Sequence, residues 1–220
     1  EASFVDDRTV KVVAGGDELV VSAPQIFINT GAESIIPDIP GVDKPFVYTS
    51  TELLDRMTQP KQLAIIGGGY IGLEFASTYT KLGTKVTVFE RGDALLARED
   101  PAIARAATEA LQAQGIEIVF SVDVTAIEGE STATIRTVNH DDYAGYDAVL
   151  MATGRRPATM SLNLPAAGVA TDERGAIVVD ETLRTSRSHI WAMGDVTGGP
   201  QFTYASLDDF RIVRSQLLGD

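Results

Sequence analysis

Residues 63–90 read LAIIGGGYIGLEFASTYTKLGTKVTVFE, and this stretch decides the fold. Leu63-Ala64-Ile65-Ile66 is a continuous apolar run, the signature of a strand buried on both faces. Gly67 to Gly72 (GGGYIG) then fits G-x-G-x-x-G. From Ile71 the apolar period changes: Ile71, Phe75, Tyr79 and Leu82 fall on one helical stripe, and Gly83 is placed to end the helix. A second strand, Lys85-Val86-Thr87-Val88-Phe89, follows and finishes at Glu90. Strand, glycine turn, helix, strand and terminal acid in this order predict a Rossmann-like βαβ unit in an α/β protein.

Each part has a physical role. Gly67 permits the tight turn, Gly69 lets a pyrophosphate approach the backbone, and Gly72 lets the helix pack closely on the strand. The first amides of the helix and the positive end of its dipole attract the phosphates. Glu90 lies 23 residues after Gly67, where a carboxylate can accept hydrogen bonds from a ribose 2′-hydroxyl. The same carboxylate repels a 2′-phosphate, so NAD(H) is expected over NADP(H). Arg91 works against this preference, because it could swing toward a 2′-phosphate.

The rest of the chain bounds the reading. Of 220 residues, 44% are hydrophobic and 22% charged, which describes a soluble globular protein of one large domain or two small ones. The net charge of −13 argues against nucleic acid and anionic membrane surfaces as partners. No apolar run approaches the ~20 residues of a membrane span, and no secretory signal is evident, so a cytoplasmic location is expected. There are no cysteines, which removes disulfides, thiolate metal sites and a cysteine redox centre from this chain. His140 and His189 are the two histidines, too few for a histidine-rich metal site, and no metal is expected.

In chain order, Ser3–Val5, Thr9–Val13, Glu18–Val21 and Gln25–Asn29 are β-prone runs separated by turn signals. Ile35 to Gly41, with Pro37, Pro40 and Gly41, reads as an irregular crossing segment between domains. Thr49-Ser50-Thr51-Glu52 can form a capping box for a short helix through Met57. Asp100-Pro101 reads as an N-cap with proline at the first helical position, and Gly115 closes that helix. Ile116–Phe120 completes βαβαβ. Val122–Glu128 and Ala133–Val138 predict an antiparallel β-meander excursion, and Tyr146–Met151 a return to the parallel sheet. Ala176–Val179 and Ile190–Met193 are short predicted strands, and a helix is expected from about Ala205 to Leu217.

Three strands end in similar small-residue turns: Asn29-Thr30-Gly31, Ala152-Thr153-Gly154 and Ala192-Met193-Gly194-Asp195. Glycine at such a point lets a flat ligand or a second backbone come close. Asp195 could accept hydrogen bonds from a polyol; alternatively it caps a turn.

Taken together, the β-meander ending in a T-G turn, GGGYIGLE, ATGRRP and the later GD resemble the pyridine nucleotide–disulfide oxidoreductase family of flavoenzymes. The stretch from Gly194 to Val213 (GDVTGGPQFTYASLDDFRIV) looks closest to its mercuric reductase-like, reactive-chlorine-resistance branch. The resemblance implies a three-layer fold with an NAD(P)-binding domain at 50–154. Partial FAD-domain segments would flank it at 1–49 and 155–220.

Residue roles follow from the same resemblance. Gly67, Gly69, Tyr70, Ile71 and Gly72 would line the NAD(P) site, with Tyr70 covering the empty nicotinamide pocket. Glu74 would lie near the nicotinamide, Glu90 would hold the adenosine ribose, Val124 would pack by the adenine, and Gly154 would close over the nicotinamide side. Thr30 and Gly31 would approach FAD, Asp195 would take its ribitol, and the backbone of Thr203 would face the flavin pyrimidine.

The departures matter equally. The family's N-terminal FAD fingerprint, its C-x4-C redox pair and its C-terminal interface domain with a His–Glu pair are missing, and neither histidine fits that catalytic pattern. The chain is therefore expected to be the central section of a longer homodimeric protein. It carries no catalytic residue of its own and is expected to be inactive alone. The complete protein would pass hydride from NAD(P)H to flavin and on to a disulfide, metal or oxidant acceptor. A flavin-dependent NADH oxidase or dehydrogenase without a redox disulfide, and a non-catalytic NAD(H) sensor, are the alternatives.

Overall fold

The computed structural model describes residues 1–139 and 141–219; His140 lies outside the described residues. The chain forms two compact units, one from Glu1–Glu33 with Arg155–Asp220 and one from Ser34–Gly154.

The first unit opens with an antiparallel meander, β1 (Ala2–Phe4), β2 (Thr9–Ala14) and β3 (Asp17–Ser22), in the order β1-β2-β3. β4 (Ile26–Ile28) and β5 (Ala32–Ser34) follow. The chain then enters the second unit.

There, β6 (Val47–Tyr48) leads into α1 (Ser50–Asp55), whose capping box is present as expected: Glu52 accepts from the Thr49 amide while Thr49 Oγ1 accepts from the Glu52 amide. β7 (Gln62–Ile66), α2 (Tyr70–Lys81), β8 (Lys85–Phe89), α3 (Pro101–Ala113) and β9 (Glu117–Val119) form the predicted βαβαβ run. Asp100 caps α3 by accepting from the Ala102 amide, with Pro101 at the start of the helix. An antiparallel meander follows, β10 (Val124–Glu128), β11 (Ala133–Thr137) and β12 (Asp142–Tyr146), and β13 (Ala148–Met151) completes a parallel sheet in the order β6-β13-β7-β8-β9.

Strand alternation builds three layers in this unit. Leu63, Ile65, Val86 and Val88 face one way and bury with Leu53, Leu73, Ala76 and Leu111 of the three helices. Ala64, Ile66 and Phe89 face the other way and bury with Ile127, Ala133, Ile135 and Tyr146 of the meander. Burial of Leu63, Ile65 and Val88 is complete, worth about 1.5–3 kcal/mol for each side chain.

Residues 34–49, grouped with the first segment in the sequence reading, make their contacts in the second unit. Phe46 lies in the meander-side core, and β6 pairs in parallel with β13. The two chain ends of the unit are joined directly: the Ile35 amide donates to the Gly154 carbonyl at 2.9 Å, and Thr153 Oγ1 donates to the Ile35 carbonyl at 2.6 Å.

Back in the first unit, β14 (Arg155–Pro157) pairs with β5, then come α4 (Leu164–Ala167), β15 (Ile190–Ala192), a 3-10 turn at Gly194–Thr197 and α5 (Thr203–Leu218). β15 runs parallel to β4 with Ala192 opposite Ile28. Trp191 is buried with Leu183, Met193 and Val213; Phe27 stacks on it and the Arg184 guanidinium sits 4.6 Å from its ring centroid.

Three elements differ from expectation. The meander of the second unit has three strands rather than two, and Tyr146 ends the third of these instead of opening the parallel strand. Asp147 separates them, and its carboxylate accepts from the Lys61 and Gln62 amides at 2.8 and 2.7 Å. Ala176–Val179 forms no regular strand: a single antiparallel bridge joins Ile177 to Thr171, flanked by the Asp172 amide donating to the Ala176 carbonyl at 2.8 Å and the Val178 amide to the Ala170 carbonyl at 3.0 Å.

Candidate dinucleotide site

β7 ends at Ile66, and Gly67 takes φ +112°, which turns the chain toward α2. A Cβ on Gly67 would overlap the Ala152 carbonyl, because β13 lies beside β7 and the Ala152 amide donates to Ile66 at 2.8 Å. Gly72 is buried one turn later, where a Cβ would overlap the Gly67 carbonyl and sit 3.3 Å from Ile65 Cγ2. Gly69 is different. It caps α2, is exposed, and a Cβ there would meet nothing within 4 Å. Two glycines of the fingerprint thus serve the fold, and the third keeps open space before the helix start. With no side chain capping α2, its first-turn amides and positive dipole end suit an anion such as a diphosphate.

Glu90 follows β8, the strand next to β7, and is half-buried. Its Oε2 accepts from the Gly68 amide at 2.6 Å and its Oε1 from the Gly92 amide at 2.7 Å. The expected ribose acid is therefore bonded to the glycine turn itself, with lone pairs left on each oxygen for hydroxyl donors. Gly68 is a residue that the fingerprint did not single out. A Cβ there would stand 2.5 Å from Leu95 Cδ2 and 2.8 Å from Glu90 Oε2, so a side chain at this position would have to displace the ends of both. Leu95 is fully buried, and the Leu96 amide donates to the Gly68 carbonyl at 3.1 Å, which ties the loop after β8 to the turn.

The remaining NAD(P) candidates distribute as follows. Tyr70 opens α2, is 45% exposed, and its hydroxyl donates to Glu99 Oε1 at 2.5 Å. Ile71 is half-buried and Glu74 is exposed on the same helix. Gly154 lies beyond the end of β13 with φ +131°. Gly67, Glu90 and Gly154 thus stand at the carboxyl ends of neighbouring parallel strands, the place where open α/β sheets bind ligands. Val124 starts β10 and packs against the meander-side core.

In the first unit the flavin candidates collect at another pair of strand ends. Thr30 and Gly31 (φ +70°) follow β4, where Thr30 Oγ1 donates to the Ala158 carbonyl at 2.9 Å. Gly194 (φ +74°) and half-buried Asp195 follow β15, the parallel neighbour of β4. A Cβ on Gly194 would come within 3.0 Å of Asn29 Oδ1, and its amide donates to Asp209 Oδ2 of α5 at 2.8 Å. Asp209 was not foreseen, since nothing in the spacing links it to Gly194. The Asp195 carboxylate has no hydrogen-bond or ion-pair partner among the described residues, which leaves it open to a polyol. Thr203 is the first residue of α5, preceded by extended Phe202 without a side-chain cap. His189 Nε2 lies 2.7 Å from the Asp7 carbonyl, a structural contact.

Two glycine-lined sets of strand ends, one in each unit, accompany a sequence match to a family: the model of the pyridine nucleotide-disulphide oxidoreductases covers residues 1–209. The chain belongs to this family.

Among family members, the probable pyridine nucleotide-disulfide oxidoreductase RclA of Escherichia coli is 47% identical over 100% of this chain and 50% of its own length. The mercuric reductase of Staphylococcus aureus is 40% identical over 100% of the chain and 40% of its own length. Two solved structures of the HOCl-induced flavoprotein disulfide reductase RclA from E. coli align over 100% of the chain and 50% of their own. The Cu(II) complex gives a TM-score of 0.94 at 46% identity, and the other gives 0.92 at 47%. The chain thus spans about half the length of these oxidoreductases. The resemblance read from GGGYIGLE, ATGRRP and GD is correct at the level of family and of fold. No described helix is long and apolar enough to cross a membrane.

Proposed function

We propose that this chain is the NAD(P)H-binding portion of an FAD-dependent oxidoreductase that passes reducing equivalents from NAD(P)H through flavin to a disulfide, metal or oxidant acceptor. The observation that carries the reading is the corner at Gly67–Gly72, in which open Gly69 precedes an uncapped helix start and Glu90 is tied to Gly68. In this reading Gly69 and the first turn of α2 receive the diphosphate. Glu90, held by two amides, accepts from the ribose hydroxyls, and NAD(H) is favoured over NADP(H). Tyr70, Ile71, Glu74 and Gly154 border the nicotinamide half, and Val124 the adenine.

The groups of the first unit fit a flavin dinucleotide: the Asp195 carboxylate, without a side-chain partner among the described residues, positive-φ glycines at Gly31 and Gly194, and the amide end of α5 at Thr203. Asp195 would hold the ribitol, Thr30 and Gly31 would border the cofactor, and the Thr203 amide would stabilise negative charge on the pyrimidine. When bound, the flavin supplies the two-electron chemistry that no side chain of this chain provides. The intact protein is taken to be a cytoplasmic homodimer.

The test is anaerobic titration of the intact protein with NADH, followed by flavin absorbance and by free-thiol assay. Bleaching of the flavin with appearance of thiols is expected. Flavin that stays oxidised with either nicotinamide would refute the proposal. Glu90→Gln is expected to weaken NADH about tenfold, the loss of a charge-assisted hydrogen bond of roughly 1.5–3 kcal/mol being only partly offset by the amide.

A further inference from the structure

The corner carries a cation that the proposed role does not use. Arg91 follows Glu90 and is the only basic residue between Lys85 and Arg98. Its side chain is 82% exposed, and its Nε lies 3.7 Å from Oδ1 of Asp123, itself 58% exposed. Backbone bonds bring the two residues together. The Ser121 amide donates to the Gly92 carbonyl at 2.8 Å, the Val122 amide to the Glu90 carbonyl at 3.2 Å, and the Val138 amide to the Asp123 carbonyl at 2.9 Å. Ser121 adopts φ +55°, which bends the chain after β9 toward this turn. Asp123 therefore sits on a segment fastened to the residues that present Arg91.

We propose that Asp123 is a coenzyme-selecting residue that acts through Arg91. The inference rests on reading the Gly67–Glu90 corner as the dinucleotide site. A 2′-phosphate is the chemical difference between NADPH and NADH, and a guanidinium is its natural partner. Here that guanidinium already faces a carboxylate. To serve a phosphate, Arg91 must leave Asp123, and the phosphate must then stand near both Glu90 and Asp123. Asp93, two residues after Arg91, adds a further negative charge to the same turn. Exposed pairs of this kind are weak, so the effect is a bias on the choice of coenzyme rather than a barrier. Asp123 is a positioning residue: it acts on the 2′-substituent by engaging Arg91.

The experiment measures Kd for NADH and NADPH by calorimetry on the intact protein, at low and high salt. In Asp123→Asn the ratio Kd(NADPH)/Kd(NADH) is expected to fall by about twofold to fivefold, the upper range of a weak exposed charge interaction, and to fall less at high salt. Asp123→Glu keeps the carboxylate and should restore the wild-type ratio. Adding Arg91→Ala to Asp123→Asn should erase the gain. A ratio unmoved by Asp123→Asn would overturn the proposal, as would a gain that persists without Arg91. The parent reading fails separately: if Gly69→Ala leaves NADH affinity intact in the same assay, the corner itself is misread and the proposal falls with it.

Discussion

Replacing Gly69 by alanine separates binding from folding at the glycine corner. A Cβ there enters open space and the backbone is at φ −83°, which alanine adopts without strain. The cost to stability is confined to exchanging glycine for alanine at a helix N-cap, about 1 kcal/mol or less. The same substitution at Gly67 forces alanine to φ +112° and into the Ala152 backbone. A left-handed conformation costs roughly 1–2 kcal/mol and overpacking about 1–3 kcal/mol more. At Gly72 the conformation is ordinary, and the overlap with the Gly67 carbonyl alone sets the loss, again about 1–3 kcal/mol. Binding should follow a different order. In the proposed site the new methyl at Gly69 would occupy the approach of the diphosphate and remove charge-assisted bonds worth about 1.5–3 kcal/mol, a factor of roughly 10 to 150 in affinity. Urea denaturation reads the first quantity and NADH calorimetry the second. The reasoning is refuted if Gly69→Ala binds NADH within a factor of about two of wild type, or if it destabilises the protein as much as Gly67→Ala.

Two other substitutions test the framework. Thr49→Ala removes one arm of the capping box on α1 and should cost about 1 kcal/mol in denaturant melts. The Thr49 amide, and secondly its hydroxyl, hold the Glu52 carboxyl below its ordinary 4.5, so the box's contribution is present above that pH and is lost as pH falls through the lower folded value. The gap between wild type and Thr49→Ala should therefore narrow in acid; a gap that widens would contradict the assignment. Trp191→Ala empties the space beneath Arg184 and Phe27 and should cost about 3–5 kcal/mol, checked by the urea midpoint.

The parallel sheet was legible because its central strands are buried on both faces and carry long apolar runs: Leu63–Ile66 and Ala148–Met151 are apolar throughout. The helix ends were legible because their chemistry is local, as at Thr49/Glu52 and Asp100/Pro101. Third-strand pairing in the meander was not, since Asp142–Tyr146 (DYAGY) contains little β-branched character and a glycine, and it is held by its register against Ala133–Arg136. Conversely, Ala176–Val179 has strong β-propensity but pairs with 170–172 through one bridge, and propensity without extended pairing does not make a sheet. At the site, the three fingerprint glycines were readable, whereas the need for Gly68 depends on Leu95 and Glu90, 27 and 22 positions away. Asp209, bonded to the Gly194 amide from 15 residues downstream, leaves no local trace.

The hydrogen bonds that join Ile35 to Thr153 and Gly154 have a consequence for assembly. The segment Ser34–Gly154 is a guest within a host, and its two stems are clasped by hydrogen bonds of its own. Once the guest has folded, the long intervening chain no longer behaves as a floppy loop, and the host must close only a short tether to bring β4 beside β15. Such a graft is a natural unit for exchange: a sister guest with the same clasped stems could be transplanted without asking the host to relearn its own pairing.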